Sequence, residues 1–270
     1  MTIHMKKNLI PTAVISLALL MAACGGKSAK QVQSDATALD SVVVDTTVQL
    51  APADKNSPTC HVSINLKYAT GMEAQTINDT ILAAGVLNSG NFKVPAYKGD
   101  VKKAVADFVA RFIDQYKKDC LPVYNEDKTS MSCNYEFFIK TSVLPGREDV
   151  LPYVAEKYLY MGGANGIASK FVRNFDVKTG KVIARADVVP ADKEKAVTQL
   201  IVANLQKTAG VKSLEELKGL GYFMETDPYI PQTFILGPDS ITFVYNEMEM
   251  APHALGEIDA KVAYKDLEKK

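Results

Sequence analysis

From Cys60 to Tyr68 the chain reads CHVSINLKY, with Cys60, Val62, Ile64, Leu66 and Tyr68 separated by the polar His61, Ser63, Asn65 and Lys67. A period of two marks a strand with one buried face, because a helix would scatter the same apolar set around its axis. Farther on the period changes. Val101, Val105, Phe108, Phe112 and Tyr116 recur at three and four residues as the stripe of a helix, with Asp100 placed to cap it. Ile77, Ile81, Leu82 and Val86, after Thr76, have the same spacing, and Gly90 is the expected stop. From Cys133 the pattern returns to strands, first at Tyr135, Phe137 and Ile139, then from Tyr153 to Tyr160 and from Ser169 to Val177. Thr179-Gly180 predicts a hairpin turn into Val182-Ile183. A helix from Asp192 to Thr208 stops at Gly210, a capping box opens at Ser213, and hairpin arms follow at Thr233 to Leu236 and Ile241 to Tyr245. A last alternating run, Glu257 to Tyr264, closes the chain. Runs of strands interrupted by grouped helices predict an α+β fold, a mainly antiparallel sheet with helices packed on it, in two small subdomains.

The N-terminus carries a different signal. Lys6-Lys7, an almost continuous apolar run from Leu9 to Met21, and Ala22-Ala23 before Cys24 form a secretory leader. The run is too short for a stable bilayer-spanning helix, which needs about 20 residues. Small residues directly before a cysteine resemble the lipobox of bacterial lipoproteins, which implies cleavage there and diacylation of Cys24, a two-chain membrane anchor. The expected organisation is a leader over 1–23, a flexible tether over 24–58, and α+β subdomains over 59–149 and 150–270. The tether is rich in Ser, Thr, Ala, Asp, Lys and Gln, and Ser41 to Leu50 is its one candidate strand, read here as tether. Cys60, Cys120 and Cys133 remain, an odd number whose pairing the sequence leaves open.

Charge excludes one class of partner. The chain has 31 basic and 31 acidic side chains, and losing Lys6 and Lys7 with the leader leaves 29 against 31. No basic field remains to recruit nucleic acid. An early acidic cluster after Cys24 is lacking, which favours the periplasmic side of the envelope over the cell surface.

The stretch YMGGANG, Tyr160 to Gly166, tests for a phosphate loop. Such a loop needs a helix whose first amides point at the anion, yet the segment after Gly166 alternates like a strand. Gly162-Gly163 therefore predicts a tight turn or bulge between paired strands. Catalytic groups are sparse, since His61 and His253 are the only histidines beyond the leader. Glu249 and His253 are four apart, but Pro252 between them opposes a helical face that would aim both at a metal. A Cys133–His253 pair stays open, although Cys133 heads an apolar strand. No metal, no cofactor and no catalytic activity are expected. MEMAPHALG reads as a bend shaped by Pro252 and Gly256, with Met248, Met250 and Leu255 packed.

Three segments, YLYMGGANG, RNFDVKTGKVIARADVV and ITFVYNEMEMAPHALGEIDAKVAYKDL, resemble in order the bacterial envelope domain of unknown function 3298, over about Tyr153 to Leu267. The layout of 59–149 is similar to the unknown-function family 4163 that precedes it. Asn165 departs from the usual histidine, and Met248 and His253 stand where aromatic residues are frequent. The resemblance implies a binding domain, as in the extracellular sensor of a lysozyme-responsive anti-sigma factor and the non-catalytic region of a peptidoglycan deacetylase. The expectation is a lipid-anchored envelope binding protein recognising lysozyme or a cell-wall component. Its candidate loops hold Tyr160, Gly162, Gly163, Asn165 and Gly166, and Glu249, Pro252, His253 and Gly256, because irregular segments on a strand scaffold carry recognition. The alternatives are a cell-wall-modifying enzyme, hydrolase or deacetylase-like, and a structural scaffold of the envelope.

Overall fold

The computed structural model describes residues 38–268 apart from 72, 89–91, 93, 94 and 96. The leader, Cys24, the tether up to residue 37 and the expected helix stop Gly90 lie outside the described residues. Strand β1 (Leu39–Gln49) pairs antiparallel with β2 (Thr59–Ala69) along all 11 residues. The tether expectation is therefore corrected over 39–58. Val42, Val44 and Val48 sit opposite Leu66, Ile64 and Cys60 on the sheet. An edge strand with its other side in water keeps half its residues polar, and so reads like linker. The loop behind it is also held, by Leu50 N–H on the Pro58 carbonyl at 2.9 Å and by the Tyr124 hydroxyl on Asp54.

Strand β3 (Tyr135–Val143) joins β2 in parallel, and β4 (Val150–Met161) and β5 (Ile167–Asp176) follow antiparallel, giving the order β1-β2-β3-β4-β5. A parallel pair needs a long crossover. Here it contains α1 (Ala74–Ala83) and α2 (Val101–Glu126). Asp100 caps α2 by accepting from Lys103 N–H at 3.1 Å, as its position predicts. Helix α1 ends earlier than the apolar spacing suggests, because Gly85 takes a left-handed conformation and Val86 reaches the core from outside the helix. The stripe of α2 lies on the sheet, with ring centroids of Phe108, Phe112 and Phe137 separated by 4.9 to 5.8 Å. Each fully buried ring contributes roughly 1.5–3 kcal/mol.

A second group of elements follows: α3 (Arg185–Val188), α4 (Glu194–Ala209), α5 (Leu214–Gly219), then a sheet of β6 (Thr233–Leu236), β7 (Ser240–Tyr245) and β8 (Ile258–Ala263), and α6 (Tyr264–Leu267). Val197, Ile201 and Leu205 of α4 share a core with Phe243, Ala260 and Val262. Ser213 caps α5 through Glu216 N–H at 3.1 Å, while the Glu216 carboxylate turns to Lys212 N–H rather than closing the expected box.

The predicted boundary at 149/150 cuts the β3–β4 hairpin, so it does not separate two subdomains. Strands β4 and β5 belong to the first sheet, and the described residues fall in one compact unit. What joins the sheets is invisible to periodicity. Val154 and Val172 pack against Ile235 and Val244. Beside them Asn174 is buried, its Nδ2 donating to the Phe234 carbonyl at 2.8 Å and its Oδ1 accepting from Leu236 N–H at 2.9 Å. A side-chain amide sets N–H donors beside a carbonyl acceptor, as a peptide group does with its N–H and C=O, so Asn174 extends the hydrogen bonding of β5 to β6. Cys60, Cys120 and Cys133 are free and buried. Burial pushes the Cys60 and Cys120 thiols up to about 12, which keeps them neutral core side chains. Among the described residues no helix is long and apolar enough to cross a membrane.

Candidate functional site

The glycine stretch connects β4 to β5. Gly162 and Gly163 have φ of 77° and 97°, the tight turn that the sequence predicts. A Cβ on Gly162 would lie 1.9 Å from the Ser132 carbonyl oxygen, so the turn packs directly on the backbone of the 3-10 turn Met131–Cys133. Gly166 makes room for a ring, since a Cβ there would meet Tyr158 at 2.3 Å. Tyr160 donates its hydroxyl to the Gly163 carbonyl at 3.0 Å. These four residues shape the turn, and Asn165 is exposed at its tip.

The other candidate segment links β7 to β8. Glu249 Oε2 accepts from Asn246 N–H at 2.8 Å, and Pro252 leads into the 3-10 turn His253–Leu255, which Gly256 ends. Glu249, Pro252 and Gly256 thus hold the bend itself. Met250 packs inside, but Met248 is 65% exposed and Leu255 39%. That corrects the expectation that all three pack; Met248 itself has a left-handed backbone, φ 62°, an uncommon conformation for a residue with a side chain.

Glu247, a residue that sequence reasoning missed, ties the bend to the start of β5, just beyond the glycine turn. Its side chain is 7% exposed, Oε1 contacts Nδ1 of His253, and Oε2 accepts from Ala168 N–H at 3.0 Å. Asn246 Oδ1 accepts from Lys170 N–H at 2.5 Å, and the Lys170 ammonium pairs with Glu257. The N–H groups of residues 168 and 170, on the strand edge away from β4, are thereby satisfied by loop side chains. The result is a patch that brings Lys170, Glu257, Glu247 and His253 together, with the last 43% exposed. Its one buried carboxylate accepts the Ala168 amide on Oε2, while Oε1 lies against the His253 ring with no hydrogen bond among the described residues. The sequence pattern points instead to Glu249 and His253, the pair at helical spacing. The carboxylate that contacts His253 is six residues before it, ahead of the 3-10 turn that His253 opens, a separation with no periodic signature. His61 lies elsewhere, on Asp45 at 2.9 Å. Among the described residues no group of three or more His, Cys, Asp or Glu side chains is arranged to hold a metal.

The bend around Glu247 lies in a segment that a family model matches. Residues 186–265 match the family model described as "Protein of unknown function (DUF3298)". The DUF3298 match takes in the end of the second motif and the third as far as residue 265, whereas the glycine turn and the Asp176 to Lys181 hairpin precede it. The fold as a whole is similar to the crystal structure of a DUF3298 family member from Bacteroides fragilis NCTC 9343, with a TM-score of 0.75, 24% identity, and coverage of 87% of this chain and 93% of that one. It is also similar to a DUF3298 family protein from Pseudomonas aeruginosa PAO1, with a TM-score of 0.60 at 15% identity, covering 86% and 93%. No curated protein matches the chain.

Proposed function

We propose that this chain is a lipid-anchored binding protein of the cell envelope, on the periplasmic side and without catalytic activity, which engages a lysozyme-like protein or a cell-wall component through the surface around Glu247. One observation carries the reading. The buried Glu247 carboxylate fastens the β7–β8 bend to the start of β5, just beyond the glycine turn, with Asn165 exposed on the turn and His253 partly exposed on the bend. Loops fixed to a rigid sheet in this way suit recognition. The anchor at Cys24 rests on the leader pattern, and the likeness of 59–149 to family 4163 rests on its layout.

The test is equilibrium binding of the full chain to a c-type lysozyme and, in parallel, to soluble peptidoglycan fragments. Saturable binding to one of them is expected, weakened at least about tenfold, or about 1.4 kcal/mol, by the joint replacement Asn165→Ala and His253→Ala with the melting temperature unchanged. Silence toward both ligands would sink the reading. A second reading has one contact in its favour. A carboxylate on Nδ1 leaves Nε2 of an imidazole as a base, which is the orienting half of a hydrolase site. Turnover of wall fragments, abolished in the His253→Ala protein, would establish an enzyme instead.

A further inference from the structure

A second concavity lies at the same end of the five-stranded sheet, on the face covered by α2. It encloses about 400 Å³ between α2, β3 and the end of β4. Phe112, Tyr116 and Tyr135 form its aromatic lining, Met161 borders it beside the glycine turn, and Phe92 adds a fourth ring. The rings support one another, with centroids 5.1 Å apart for Tyr116 and Tyr135, 6.4 Å for Phe112 and Tyr135, and 5.8 Å for the edge-on pair Phe92 and Phe112. Two polar side chains of α2 complete the lining, Gln115 and Asp119, and the Gln115 amide donates to Asp119 Oδ1 at 2.7 Å. Asp119 is the only charged residue of the lining among the described residues. The Tyr116 hydroxyl is buried and has no hydrogen-bond partner among the described residues. Preformed apolar walls with a few convergent polar groups are the usual build of a small-ligand site.

Two features of the cleft select the same chemistry. Aromatic faces attract cations through their quadrupole and disfavour anions. Among the described residues the one charge of the lining is the Asp119 carboxylate, which adds to that preference. A carboxylate only accepts hydrogen bonds, so a cation bearing N–H donors on an apolar stem satisfies what the cleft offers. We propose that this cleft binds a primary alkylammonium group, its methylenes against Phe112 and Tyr135 and its N–H donors toward Asp119. A lysine side chain and a free polyamine both present that group. The site is separate from the patch around Glu247 and uses none of its residues.

Titration of the full chain at pH 7 with n-pentylamine, pentan-1-ol and pentanoate, followed through the Met161 methyl resonance, tests the assignment. Pentylamine should shift that resonance saturably, the alcohol should bind at least tenfold more weakly, and pentanoate should leave it unmoved. Asp119→Asn should reduce pentylamine to the affinity of the alcohol with the thermal melt intact. Amine binding should persist in the Asn165→Ala, His253→Ala protein, which separates this site from the proposed function. Cadaverine binding more tightly than an Nα-acetyl-lysine amide would indicate a polyamine, and the reverse a lysine side chain. Equal affinity for amine and alcohol, no effect of Asp119→Asn, or no response to any probe would overturn the proposal.

Discussion

Gly162 and Gly163 share a left-handed backbone but not their surroundings. A Cβ on Gly163 would meet nothing within 4 Å, whereas one on Gly162 would collide with the Ser132 carbonyl at 1.9 Å. Gly163→Ala should therefore cost only the backbone term, about 1 kcal/mol. Gly162→Ala must also displace a main-chain oxygen, and about 3 kcal/mol or more is expected, within the range of overpacking plus strain. Urea midpoints of the two variants check this, and equal midpoints would refute the packing argument. A turn at this pair was legible from composition and from the alternation after Gly166. Its contact with Ser132 was not, because a backbone approach thirty residues away in sequence leaves no mark on either segment. The same holds at the proposed site. Its loops could be named from irregularity, while Glu247 and Lys170 looked like any other surface charges until β5 and the bend were placed side by side.

At the scale of elements, strong one-sided patterns were read correctly and half-wetted ones were not. Strand β2 buries every second residue and α2 buries a continuous stripe, so their periods were plain. Strand β1 has intermediate or exposed residues throughout, including Val43 at 67%, and became visible only through its ladder with β2. A chain begun at Thr59 would leave the outer edge of β2 unpaired beside a row of apolar side chains, which favours association. The prediction is that a fragment of residues 59–268 self-associates on size exclusion and melts at lower temperature than one of residues 38–268. A monomeric 59–268 fragment of equal stability would mean that β1 is dispensable.

For the whole molecule, the decisive residue is Asn174. It stands between the core under α1 and α2 and the core around β7, and both of its side-chain bonds are made to β6. Replacing it with leucine leaves a buried carbonyl and a buried N–H without partners, at about 1–3 kcal/mol each. A single cooperative transition is expected for the unaltered chain, and Asn174→Leu should lower stability by about 2–4 kcal/mol and split the transition in two, measured by calorimetry. Loss of stability with one sharp transition would mean that the valine–isoleucine contacts alone couple the sheets. No pattern of apolar residues could have revealed this, since one asparagine between two strands is as common in a turn as in a joint.

The strand directions add a mechanical consequence. Leu39 enters the sheet at the end that holds Ala69, Val143 and Val150, while Gln49, Tyr135, Met161 and Ile167 lie at the other, about 33 Å away for a strand of 11 residues. Tension drawn between residue 38 and the β4–β5 turn runs parallel to the strands. The rungs between β1 and β2 then carry the load together, in shear, instead of peeling one after another. Force entering at the N-terminal end can thus reach the end with Glu247 and the aromatic cleft while the sheet stays closed.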